Sequence, residues 1–138
     1  GQTLGPLAKI ASGGELSRVS LAIQMLASAK ASVATMIFDE VDAGIGGRVA
    51  EVVGRLLRSL GSQHQVLAVT HLPQVAACAQ HQFQVAKTAT DGVATTSITR
   101  LTDKTRVEEI ARMLGGIKIT DATRKHAAEM LRNTTVNE

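Results

Sequence analysis

Two short apolar runs, each cut off by ionisable residues, constrain the fold of this chain more than any other feature. Thr35-Met36-Ile37-Phe38 stops at Asp39-Glu40, and Val66-Leu67-Ala68-Val69-Thr70 stops at His71. Runs this short and this apolar suit strands buried on both faces of a parallel sheet. Between them Val49, Val52, Val53, Leu56, Leu57 and Leu60 recur at helical spacing, and Gly61 stops the segment. Strand, helix and strand therefore follow one another. The acids and the histidine fall at strand ends, where α/β proteins place their sites.

The flanking sequence extends the pattern. Ser12-Gly13-Gly14-Glu15 has the Ser-x-x-Glu spacing of a capping box. It opens a helix carrying Leu16, Val19, Leu21, Ala22, Ile23, Met25, Leu26 and Ala27, apolar on most sides and so expected to be well buried, ending near Lys30. Leu72–Ala79 reads as a short helix with Pro73 in its first turn. Phe83–Lys87 and Ala94–Leu101 flank Asp91-Gly92, a hairpin signal. Thr105-Arg106-Val107-Glu108 is a second capping box, opening a helix through Leu114 that stops at Gly115-Gly116. Thr120-Asp121 caps a last helix to about Arg132. This order is that of an α/β layered domain, and 138 residues suffice for a single one with one core.

Composition removes several function classes. Aromatic residues make up 1% of the chain, Phe38 and Phe83 alone, too few for a base-stacking platform on single-stranded nucleic acid. The net charge is +3 and spread along the chain, so no segment reads as a basic arm. Cys78 is the only cysteine, which excludes an internal disulfide and a Cys-rich zinc site and fits a reducing cytoplasm. No apolar stretch is long and charge-free enough to span a bilayer, so no membrane partner is expected. The chain opens at Gly1 and its first methionine is Met25, which reads as a piece of a longer protein.

Three features carry chemistry. At Ser12–Glu15 two adjacent glycines let backbone approach a ligand, and the free N–H groups of a helix start favour an anion such as phosphate. A capped helix with no ligand explains the same residues. Asp39-Glu40 closes an apolar strand; in nucleoside triphosphatases such an Asp holds Mg²⁺ and a neighbouring carboxylate orients the attacking water. A solvated strand end is the alternative. His71, one strand later, can meet a phosphate oxygen or position water, or serve as a surface residue.

Taken in order, these features resemble the second half of an ABC-type ATPase head. Ser12, Gly13, Gly14 and Glu15 match the signature motif and Met36–Asp39 matches Walker B. Glu40 stands at the place of the catalytic glutamate, Asp42 at that of the D-loop aspartate, and His71 at that of the switch histidine. Ala11–Arg18, Phe38–Gly47, Thr70–Ala76, Ala111–Gly116 and Ile119–Asp121 are similar to the RecN family of bacterial DNA repair proteins, relatives of the SMC proteins. ABC membrane transporters usually carry Gln after the double glycine and a different D-loop, which Glu15 and Asp42–Gly47 do not match.

The resemblance has one gap. No Gly-x-x-x-x-Gly-Lys-Ser/Thr occurs in the chain, and that Walker A loop cradles the phosphates in P-loop proteins. In the resembled family it lies in an N-terminal lobe, beyond a long coiled coil. The resemblance thus implies that residues 1–138 are the C-terminal lobe of a split SMC-type head, with parallel buried strands flanked by helices plus a β-hairpin. It implies an ATPase as part of a longer protein and no activity in this piece alone.

It also implies ATP and Mg²⁺ as cofactors, with Asp39 holding Mg²⁺ through water, Glu40 polarising the attacking water and His71 meeting the γ-phosphate. Ser12–Glu15 would reach ATP held by a second head, with Asp42 at that interface. The implied partners are the N-terminal head lobe, a second head in an ATP-dependent homodimer, and DNA. The implied setting is the nucleoid in the cytoplasm, and the implied task is repair of double-strand breaks by recombination. Three rivals stay open: another SMC-type head, an inert interaction lobe, and a metal hydrolase using Asp39, Glu40 and His71 as ligands.

Overall fold

A computed structural model describes residues 22–23, 27, 33–39, 41–90, 93–116 and 118–134. The chain divides into two compact units, Gly1–Val75 and Ala76–Glu138. Ser12–Glu15, Glu40 and the Asp91-Gly92 turn lie outside the described residues. So does most of the helix expected over Ser12–Lys30. Its described members Ala22, Ile23 and Ala27 are helical but exposed, Ile23 at 61%, so the deep burial expected of that helix is not met at these positions.

In the first unit, β1 (Thr35–Phe38) and β2 (Gln65–Ala68) pair in parallel, with Phe38 opposite Ala68. The ladder runs one bond past β2, where Val69 N–H donates to Phe38 O at 2.9 Å. Helix α1 (Gly47–Leu60) connects the two strands. Its Ala50, Val53 and Leu57 pack on Met36, Phe38 and Val41 to form the unit's core.

The parallel pairing is as expected, but burial of both sheet faces is not. Met36 and Phe38 point into the core, whereas Ile37 is 73% exposed, with Leu67 and Val69 also exposed. Helix α1 covers one face, and among the described residues no second layer covers the other. The helix itself is less deeply set than its sequence suggests. Val53 and Leu57 are buried, but Val49, Val52 and Leu56 lie on a second stripe that solvent reaches.

The division between units falls within helix α2 (Pro73–Cys78), which Pro73 begins, the helical position where its missing N–H costs least. In the second unit, β3 (Phe83–Thr90) and β4 (Val93–Arg100) form an antiparallel hairpin, longer than expected, with Thr90 opposite Val93. Helices α3 (Asp103–Gly115) and α4 (Asp121–Asn133) follow. Ile110, Ala111 and Ala127 are fully buried; two alanines let these helices approach closely. Arg106 closes the end of α2 by donating to Ala79 O at 2.6 Å.

The capping of α3 differs from its expected form. Thr102, not Thr105, is the N-cap. Its hydroxyl accepts Thr105 N–H at 3.3 Å, and the Thr105 hydroxyl accepts Thr102 N–H at 2.7 Å. Glu108, the expected reciprocal partner, instead takes Arg124 Nε at 3.0 Å from α4. Helix α3 ends at Gly116, whose φ of 60° is a left-handed conformation that glycine adopts without a Cβ clash. Thr120 caps α4 as expected.

Candidate functional site

The two parallel strands end side by side, so the segments that follow them meet. After β1 the chain passes Asp39, exposed at the strand end, and turns through residues 41–44. The turn is closed by Ile45 N–H donating to Asp42 O, and Gly44 supplies the φ of 71° that reverses the chain. This places Asp42, 4% exposed, under the segment that follows β2.

One oxygen organises that segment. Asp42 Oδ2 accepts from Thr70 Oγ1 at 2.5 Å, from His71 N–H at 2.7 Å and from Leu72 N–H at 3.3 Å. His71 Nδ1 lies 3.1 Å from the same oxygen, although its side chain is 77% exposed. Thr70 Oγ1 also accepts from Leu72 N–H at 3.0 Å. Burial pushes the Asp42 carboxyl up. The Thr70 hydroxyl, the His71 amide and the nearby His71 ring outweigh it and hold the group below its ordinary value of 3.8.

Of the residues singled out from sequence, the structure brings Asp42 and His71 into contact. Asp39 stands at the C-terminal end of β1, while Glu40, Ser12, Gly13, Gly14 and Glu15 lie outside the described residues. Thr70 was not singled out from sequence as a site residue. Its signal is local: a threonine two residues before an amide it can accept, just ahead of Pro73. The other histidines do different work. His64 Nδ1 bonds Val33 O at 2.7 Å, tying the residue before β2 to the second residue before β1, and His81 Nδ1 lies 3.4 Å from Arg100.

The donor set fits a lightly held Mg²⁺ better than a caged ion. Among the described residues no group of three His, Cys, Asp or Glu side chains forms a ligand cluster. Mg²⁺ sheds water reluctantly and is commonly held by one or two carboxylates with phosphates completing its shell. One strand-end carboxylate such as Asp39 suits that role. Among the described residues no helix is long and apolar enough to cross a membrane.

Comparison with known proteins gives the context of these residues. No protein-family model matches the chain. It is 54% identical over 95% of its length to the DNA repair protein RecN of Vibrio cholerae, covering 24% of that protein. It is 56% identical to RecN of Haemophilus influenzae over 95% of the chain and 24% of the relative. RecN of Bacillus subtilis is 46% identical over 96% of the chain and 23% of its own length. The resemblance to RecN thus holds along nearly the whole chain, and the chain spans about a quarter of the length of these relatives. A solved chain from work on ATP-driven dimerization and DNA-stimulated activation of SMC ATPases superposes with a TM-score of 0.67 at 19% identity, over 86% of this chain and 70% of that one. The α/β fold expected from the sequence is the fold of that SMC ATPase.

Proposed function

We propose that residues 1–138 form the C-terminal lobe of a split SMC-type ATPase head that serves DNA repair. The observation that carries the reading is the meeting of Asp42 and His71 beyond the ends of two parallel strands, in a chain 54% identical to RecN of Vibrio cholerae. The RecN relatives are described as DNA repair proteins, and the SMC neighbour as one that dimerises with ATP and is activated by DNA. Those properties are carried here to the longer protein of which this lobe would be part.

In this reading Asp39 holds Mg²⁺ through its water shell and Glu40 orients the attacking water. His71 contacts the γ-phosphate, in a position fixed from below by Asp42. Ser12, Gly13, Gly14 and Glu15 bind nucleotide held by a second head, and the D-loop residue Asp42 lies close to that junction. Bound ATP·Mg²⁺ supplies the phosphoanhydride and the positive charge that offsets its developing negative charge. The Walker A loop comes from the N-terminal lobe, so this piece alone is inactive. DNA is the partner on which the cycle acts, in the cytoplasm.

Mixing this chain with the N-terminal lobe should yield ATPase activity that neither part shows alone, and Glu40→Gln should abolish it. No gain on mixing would favour an inert interaction lobe. Unchanged turnover in the Glu40→Gln full-length protein would remove Glu40 from its role. Tight stoichiometric Mg²⁺ or Zn²⁺ binding by this chain without nucleotide would overturn the reading in favour of a metal hydrolase.

A further inference from the structure

We propose that Asp42 works inside its own lobe, as a positioning residue for the backbone of His71, and makes no contact with a second head. The resemblance to ABC-type heads implies an aspartate at the head–head interface, whereas here its carboxylate is turned inward. The proposal rests on the ATPase reading above and gives this acid a different place in it.

Access argues first against a contact across heads. Asp42 is 4% exposed in this chain by itself, and further chain packed on it can only cover it more. The turn around it is open, with Ala43, Gly44, Gly46, Gly47 and Arg48 all exposed. Those groups, and not the carboxylate, are what a second copy could touch.

Hydrogen-bonding capacity argues the same way. A carboxylate offers about four acceptor sites. Three are taken at Oδ2 by Thr70 Oγ1, His71 N–H and Leu72 N–H, all from the one stretch beyond β2. Thr70 Oγ1 accepts Leu72 N–H at 3.0 Å, so its own proton goes to Asp42. To reach a partner, the carboxylate would have to abandon three part-buried donors, two of them backbone amides, and unpaired donors are costly.

The inward contacts have a geometric consequence. The amides of His71 and Leu72 belong to the peptide groups on either side of the His71 Cα. Holding both sets the direction in which the histidine side chain leaves the backbone, while the ring itself stays 77% exposed and open to a ligand. A displacement of about 1 Å at a reacting group can cost a hundredfold in rate.

The test is a double-substitution cycle in the full-length protein. Asp42→Ala should lower kcat about ten- to a hundredfold with KM for ATP little changed. Asp42→Asn keeps an acceptor oxygen and should recover part of the loss. In a His71→Ala background Asp42→Ala should cost nothing further, since it acts through that residue. ATP-dependent pairing of heads, followed by sedimentation in a Glu40→Gln background, should survive Asp42→Ala. Loss of pairing, a further fall in the His71→Ala background, or an unchanged kcat would each overturn the proposal. If Asp42→Ala does not fold, Thr70→Val removes one donor of the three and carries the same comparisons at smaller amplitude, with Thr70→Ser as its rescue.

Amide exchange in the 138-residue chain separates this proposal from the reading beneath it. His71 and Leu72 N–H should exchange slowly, and Asp42→Ala should release both together. Protection that survives the substitution would overturn the proposal. A full-length protein that keeps the protected amides but hydrolyses no ATP would sink the ATPase reading and leave the inward placement of Asp42 standing.

Discussion

Asp42 and His71, 29 residues apart, are joined twice: Asp42 Oδ2 accepts the His71 amide at 2.7 Å and lies 3.1 Å from its ring Nδ1. The amide contact is a hydrogen bond that holds the backbone, and the ring contact is a close approach by an exposed side chain. A buried acid thus ties the segment after β2 to the turn after β1.

Replacing Asp42 by Ala should therefore loosen the whole 70–72 segment. Three donors lose their shared acceptor, and each buried donor left unpaired costs about 1–3 kcal/mol. Water reaches part of this loop, so the expected loss is about 2–3 kcal/mol in total rather than the sum. Urea unfolding would show it as a lower midpoint. A change within experimental error would mean that the Asp42 contacts contribute nothing net.

The same group makes an acid limb in stability. Asp42 is held below 3.8 in the folded chain, so the unfolded chain binds its proton more readily. The stabilisation is fully present above 3.8 and is lost as pH falls through the lower folded value. Asp42→Asn should flatten that part of the curve below pH 3.8 while leaving the neutral region parallel to the unsubstituted chain. Thermal midpoints measured across the acid range would decide it.

In the second unit Glu109, 8% exposed, accepts Gln84 Nε2 at 2.6 Å and a two-pronged bond from Arg112 at 2.8 Å. Glu109→Ala removes the shared acceptor and should cost about 2–3 kcal/mol. Arg112→Ala leaves the Gln84 bond in place and removes a side chain that was already 56% exposed, so about 1 kcal/mol is expected. The order of the two variants in chemical denaturation is the test. A larger loss from Arg112→Ala would reverse the argument.

Gly116 offers a cleaner case. A Cβ there meets nothing within 4 Å, yet its φ is 60°. Its ψ of −121° lies outside the αL well that Asn tolerates, so Gly116→Ala and Gly116→Asn should both cost about 1–3 kcal/mol through backbone strain alone. No loss in Gly116→Ala by chemical denaturation would show that this helix end relaxes without strain.

Legibility in the sequence divides along local and distant interactions. The ends of β1, the hairpin around Asp91-Gly92 and the Thr120 cap were readable because each is set by neighbours in sequence. The α3 cap was misplaced by three residues. Thr105-x-x-Glu108 and Thr102-x-x-Thr105 both offer a box, and Glu108 is drawn off by Arg124 of the next helix, which spacing does not reveal. On α1, Val49, Val52 and Leu56 form one apolar stripe and Val53 and Leu57 another. Periodicity alone does not say which of two adjacent stripes meets the sheet. For the site, His71 reads as a residue type at a strand end, and Asp42 comes only from the resemblance to the D-loop of ABC-type heads. Thr70 is found by neither route, because its role appears only when the two segments touch.

The uncovered sheet face gives the last prediction. Ile37 is 73% exposed and Val69 61%, with Leu67 beside them on the same face. Apolar side chains already in water lose little on replacement, so Ile37→Thr and Val69→Thr should change the stability of this chain by no more than about 0.5 kcal/mol. Strand propensity is kept, because Thr is β-branched. A contiguous exposed apolar patch also promotes association, so the double variant should stay monomeric at concentrations where the unsubstituted chain does not. In the full-length protein of the proposed split head, the N-terminal lobe would cover this face, and the same pair should then cost about 2 kcal/mol or more through lost burial. Sedimentation of the 138-residue chain and thermal melts of both proteins separate the cases. A large loss already in the isolated chain would mean that this face is buried in solution, and equal small losses in both would mean that nothing covers it.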